Sequence, residues 1–109
     1  MEEMESIIFG IISHSGNAKG LCYEALSAAE LGQFEEAKRL MHEAEQDIRE
    51  AHRIQTTLIH KEAAGEKIEL GVIFVHAQDH LMTTLSEKAL IERLISMNKR
   101  LHCLEQRMG

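Results

Sequence analysis

A chain of 109 residues with 12 Lys and Arg against 18 Asp and Glu has a formal charge of −6 and length enough for one hydrophobic core, so a single domain over 1–109 is expected. That charge repels phosphate backbones and anionic lipid, and with no Trp and with Phe9, Tyr23, Phe34 and Phe74 scattered there is no platform for stacking bases, which excludes nucleic acid as a partner. The longest apolar runs, Ile7 to Ile12 and Leu70 to Val75, fall short of the ~20 residues that span a bilayer; Met1 to Ser6 is acidic where a secretory signal is basic, and Cys22 and Cys103 lack C-x-x-C spacing, so a soluble, cytoplasmic protein with reduced thiols is expected.

Proline is absent, which leaves glycine as the main punctuation, and the chain divides into three helical thirds. In the first, expected over about 2–31, Met4, Ile8, Ile11, Ser15, Ala18, Cys22, Ala25 and Ala29 trace one stripe whose residues become small, inviting close approach by another helix. Gly16 and Gly20 weaken that helix by about 1 kcal/mol each relative to Ala. Gly32 follows where a left-handed C-terminal cap belongs. The second third, about 34–64, has the clearest period: Phe34, Ala37, Met41, Ala44, Ile48, Ala51, Gln55 and Leu58 alternate steps of three and four among charged residues. Gly65 closes it as Gly32 closes the first.

The last third, about 68–107, carries Leu90, Leu94, Met97, Leu101, Leu104 and Met108 at helical spacing, and the line traced backwards passes through Glu87, Thr83, His80 and His76. No strand-like alternation competes, so the fold class expected is all-α, an antiparallel three-helix bundle. Helices of about 30 residues are roughly 45 Å long. A bundle so slender has a thin core, and its long apolar stripes imply burial against further copies of the chain.

Chemistry concentrates in Val75-His-Ala-Gln-Asp-His-Leu-Met82. His76 and His80 could hold one metal from a helix face, but Gln78 and Asp79 do not supply the His-Glu-x-x-His order of zinc proteases. Alternatively Asp79 orients His76 and raises its basicity, and an imidazole with a free ring nitrogen is a good nucleophile towards phosphorus and a good leaving group from it. A third reading leaves the cluster as polar residues on a solvated face. The carboxylate of Asp79 on the extension of an apolar seam weighs against that, because such a group at a symmetry axis meets its own copies and needs a cation.

These residues resemble the enzyme IIA component of the lactose/cellobiose type in the bacterial phosphoenolpyruvate-dependent sugar phosphotransferase system. Besides the segment at 75–82, His14-Ser-Gly-Asn-Ala18, Glu50-Ala-His-Arg-Ile-Gln-Thr56 and Glu62-Ala-Ala-Gly-Glu66 resemble family segments in the same order. The resemblance implies that His76 is phosphorylated on Nε2 by the phosphohistidine of the carrier HPr. It implies delivery to a cysteine of a cognate IIB protein, and onward to a sugar entering through membrane component IIC. It implies a homotrimer of nine helices in which Asp79 of each chain meets at the axis around one divalent cation, expected to be magnesium since hard oxygen ligands favour it over zinc. Gln78 and His80 are expected beside His76, with His80 donating a hydrogen bond to the phosphoryl oxygens. Around His76 an apolar surface with a negative rim is expected. The segment leans towards the cellobiose or chitobiose branch over the lactose branch.

The remaining candidates are assigned quieter parts. His52 and Gln55 fall in a family-like segment, where Gln55 fixes helix register, and His14 either neighbours the site or packs. His42, His60 and His102 are read as surface or rim residues, the Met residues as core filling, and Cys22 and Cys103 as bystanders. Two rivals remain open: a non-catalytic helical oligomer with a structural metal on Asp79 and His80, and a regulatory relative that docks HPr.

Overall fold

Three helices account for nearly all of the chain: α1 (Glu2–Glu30), α2 (Phe34–Ala63) and α3 (Val72–Met108). The computed structural model describes residues 2–69 and 71–109, with side chains from residue 3 onward. Both foreseen glycine caps are present. Gly32 and Gly65 have φ of 78° and 97°, a region where a Cβ costs roughly 1–2 kcal/mol. At the first turn Gln33 N–H donates to the Ala28 carbonyl at 2.9 Å and Gly32 N–H to Ala29 at 3.0 Å; Glu66 and Gly65 repeat the pattern on Lys61 and Glu62, each at 3.0 Å. These paired closures satisfy the last carbonyls of α1 and α2 and turn the chain sharply.

The start of α3 differs from the expected 68. Ile68 packs against the core in non-helical backbone, and Gly71, extended at φ −96° and ψ 168°, precedes the first helical residue, with Val75 N–H bonded to its carbonyl at 3.1 Å. The packing of Ile68 and the extended backbone of Gly71 set the helix start at Val72.

α1 and α2 run antiparallel, with Glu3 paired to Lys61 at one end and His14 to Asp47 midway. α3 returns parallel to α1, as the Lys19–Glu87 pair and the approach of Gly32 to His102 show. The foreseen stripes of α1 and α2 become the core: Ile8, Ile11, Ser15, Ala18, Cys22, Ala25 and Ala29 are buried, opposite Ala37, Leu40, Ala44, Ile48, Ala51 and Leu58. The alanines let the first two helices approach closely, so the bundle is thin.

α3 breaks the pattern. Against α1 and α2 it buries Ala77, Leu81, Thr84 and Ile91, while Leu90, Leu94, Met97, Leu101, Leu104 and Met108 are exposed. The apolar line foreseen on this helix is therefore its outer face within one chain. The backward tracing is corrected too: His80 and Glu87 lean towards α1 and are half-buried, whereas Asp79 and Thr83 remain on the exposed line with Val72, Val75 and Met82. A helix of 3.6 residues per turn drifts away from a strict alternation of three and four, and this separates the two sets over the first turns of α3.

Candidate functional site

His76 stands in the second turn of α3, on the exposed side, one turn from the open N-terminus of the helix. Ala77 beside it is buried, which anchors this turn to α1 and α2 and fixes where the imidazole emerges. Val72, Ile73 and Val75 around it are 86%, 55% and 52% exposed, an apolar surface without a partner among the described residues. Glu66, Glu69 and Asp79 are exposed acidic groups in the flanking sequence.

His80 lies one turn on. Its ring is parallel to that of His76, with 5° between the planes and 6.1 Å between centroids, and its Nε2 edge is turned towards α1 at Gly16. The i, i+4 spacing places both rings on one face, and the lean of His80 towards α1 tucks it behind His76. Thr83 closes the segment by donating its hydroxyl to the backbone carbonyls of Asp79 at 2.9 Å and His80 at 3.2 Å.

Gln78 does not join His76 within the chain. Two helical positions turn it towards α2, where it accepts a hydrogen bond from Gln55 Nε2 at 3.0 Å and borders a cavity of about 160 Å³ with Leu58, Ile68 and Phe74. The register role foreseen for Gln55 is thus matched by a specific partner. Asp79 is exposed and in line with the outer apolar face. Among the described residues no three His, Cys, Asp or Glu side chains gather in one place. As a carboxylate, Asp79 suits a hard cation in donor chemistry.

The other histidines separate cleanly. His14 Nδ1 lies 2.8 Å from Asp47 Oδ1, and Asn17 donates to the second oxygen of the same carboxylate, so this trio ties α1 to α2. His42 and His60 are exposed, His42 with Gln46 within 3.4 Å, and His52 is exposed. His102 meets Phe34 edge-on at 5.5 Å and lies over Gly32, closing the far end of the bundle. Asp47 and Gly16 were not foreseen: a partner on another helix leaves no mark in local spacing, and Gly16 registered only as a weak point in its helix.

A profile of the family described as "PTS system, Lactose/Cellobiose specific IIA subunit" matches residues 6–99. The lichenan-specific phosphotransferase enzyme IIA component of Bacillus subtilis is 43% identical over 100 residues, spanning 92% of this chain and 91% of that protein. The crystal structure of a cellobiose-specific enzyme IIA from Bacillus anthracis superposes with a TM-score of 0.89 at 44% identity, covering 91% of each chain. The IIA(chitobiose) of an HPr complex from the Escherichia coli N,N'-diacetylchitobiose branch gives a TM-score of 0.80 at 38% identity, covering 94% of this chain and 99% of that one.

Proposed function

The chain belongs to the lactose/cellobiose-specific IIA family of the sugar phosphotransferase system, and from that membership we propose that it is a phosphocarrier that takes a phosphoryl group on His76 from HPr and passes it to a cysteine of a cognate IIB protein. The observation that supports it is His76 itself: an exposed imidazole at the start of a long helix, ringed by exposed apolar side chains and backed by the parallel ring of His80.

In the first step the lone pair of His76 Nε2 attacks phosphorus as the P–N bond of the donor phosphohistidine breaks, and the donor imidazole leaves as the neutral base. Nδ1 of His76 keeps its proton throughout. In the second step the roles reverse: a IIB thiolate attacks phosphorus and His76 departs as neutral imidazole. Little covalent work falls to the protein beyond this, so position and local electrostatics set the rate. His80, one turn on, donates a hydrogen bond to the phosphoryl oxygens. Because the phosphohistidine stores transfer potential, a partner must be at hand, and the apolar surface formed by Val72, Ile73 and Val75 is where a carrier docks.

The active form is a homotrimer of nine helices in which the exposed face of α3 from Asp79 onward is buried, leaving Val72, Ile73 and Val75 at its start free for the carrier. Three Asp79 carboxylates meet at its axis and hold one magnesium ion, which neutralises their mutual repulsion; it takes no part in the transfer. The sugar that follows through IIC is a β-linked disaccharide, of the cellobiose or chitobiose type, and the transfer takes place in the cytoplasm. No described helix is long and apolar enough to cross a membrane.

Intact mass spectrometry tests the reading. Wild type and His76→Ala are incubated with phosphoenolpyruvate, enzyme I and HPr and kept alkaline, since phosphohistidine is acid-labile. Only the wild type gains one phosphoryl group per chain. If neither gains one, a structural metal-binding oligomer becomes the better account.

A further inference from the structure

His80 is half-buried, and among the described residues no hydrogen bond holds its ring. Its Nε2 edge is turned towards α1 at Gly16, and its ring lies parallel to that of His76 with 6.1 Å between centroids. A Cβ on Gly16 would stand 3.3 Å from His80 Nε2, a separation at which the neighbour must give way by a few tenths of an ångström. Gly20 lies one turn further along the same helix, is exposed, and would carry a Cβ with nothing within 4 Å. The two glycines cost the helix alike, yet only the first has a functional side chain against it.

We propose that Gly16 is a positioning residue for phosphoryl transfer: lacking a side chain, it leaves room for the Nε2 edge of the His80 imidazole, which keeps that ring parallel to His76 and beside the group the acceptor ring carries. This inference rests on the phosphocarrier reading above. An exposed imidazole on a helix turns freely about its two side-chain torsions, so a parallel ring one turn away narrows the orientations in which Nε2 meets phosphorus. Substitution at 16 pushes His80 outward and loosens that alignment. The docking surface stays as it is, because Gly16 lies behind His80 and away from Val72, Ile73 and Val75.

Rapid-quench transfer from phospho-HPr, over a range of its concentrations, is measured for wild type, Gly16→Ala, Gly20→Ala, His80→Ala and the Gly16→Ala/His80→Ala double variant. Helix propensity alone makes both alanines stabilising, so their thermal midpoints hold or rise. Gly16→Ala slows the first-order step about fivefold or more with KM unchanged, an effect in keeping with small misplacement of reacting groups. Gly20→Ala transfers like the wild type, and Gly16→Ala adds nothing in the His80→Ala background. The ¹⁵N imidazole signals of His76 and His80 shift in Gly16→Ala and not in Gly20→Ala.

Equal rates for the two glycine variants, or an equal loss from Gly16→Ala with and without His80, overturn the positioning role while leaving the phosphocarrier reading intact. A wild type that accepts no phosphoryl group overturns both.

Discussion

Ser15 sits at the centre of the bundle with its backbone carbonyl accepting the Thr84 hydroxyl at 3.4 Å, while its own hydroxyl has no partner among the described residues. A buried polar group without a hydrogen bond is a cost that removal recovers, and Ala is also the better helix former. Ser15→Ala therefore stabilises the protein by about 1 kcal/mol, read from urea unfolding at fixed protein concentration. Cys22 gives a second test. Burial pushes its thiol up from the ordinary value, and the side chain is inaccessible, whereas Cys103 is exposed near the end of α3. Iodoacetamide at neutral pH modifies Cys103 and spares Cys22 until denaturant is added; equal labelling of both in the folded protein contradicts the packing. At this scale the sequence revealed residue types and hid partners. The segment at 75–82 singles out His76 and Asp79 in the sequence because their side chains follow one another closely. The pairing of His14 with Asp47 and the turning of Gln78 towards Gln55 depend on which helices become neighbours, and local spacing does not record that.

Between elements, the clearest electrostatic link is Lys88 of α3, which reaches Glu45 of α2 at 2.8 Å and Glu92 of its own helix at 2.9 Å. Burial works against the charge on Lys88, but the hydrogen bonds to Glu45 and Glu92 outweigh it and hold its pKa above the ordinary 10.5. Glu45 is held below the ordinary 4.5, chiefly by its bond to Lys88. A lowered carboxylate contributes stability above its unfolded pKa and loses it as pH falls through the folded value; a raised ammonium contributes below its unfolded pKa and loses it as pH rises through the folded one. The link is therefore intact across the neutral range and fails at both ends. Lys88→Met costs about 1 kcal/mol near neutrality, given partly exposed partners, and the difference from wild type shrinks as pH falls through the lowered value of Glu45. An undiminished difference in acid contradicts the assignment. The helices themselves were largely legible: period and glycine placed α1 and α2 nearly to the residue, because amphipathic spacing and a left-handed cap are local properties. The start of α3 was not, since the packing of Ile68 against the core, in non-helical backbone, is a tertiary contact.

As a whole the chain measures 63 × 21 × 18 Å with a radius of gyration of 17.5 Å, where about 13 Å is usual for a compact domain of this length. α3 leaves Leu90, Leu94, Met97, Leu101 and Leu104 exposed in one line, with Met108 at its end, far more apolar surface than scattered singletons would give. A stripe of that length along a helix suits identical helices packed side by side. On the proposed trimer, with Asp79 of each copy on the shared line, sedimentation equilibrium gives three times 12.4 kDa. Leu101 is 52% exposed in the single chain, so Leu101→Glu leaves the folded subunit undisturbed but places a charge in the interface. Circular dichroism stays helical while the mass falls towards that of one chain; a mass that stays at three copies shows that the outer face of α3 is not the contact. Chelation distinguishes the axial site from the apolar seam. Removing a cation from three carboxylates restores their repulsion, so EDTA raises the concentration at which the assembly dissociates by about tenfold at neutral pH. Insensitivity to EDTA would leave the leucines and methionines of α3 as the whole of the interface and Asp79 outside it.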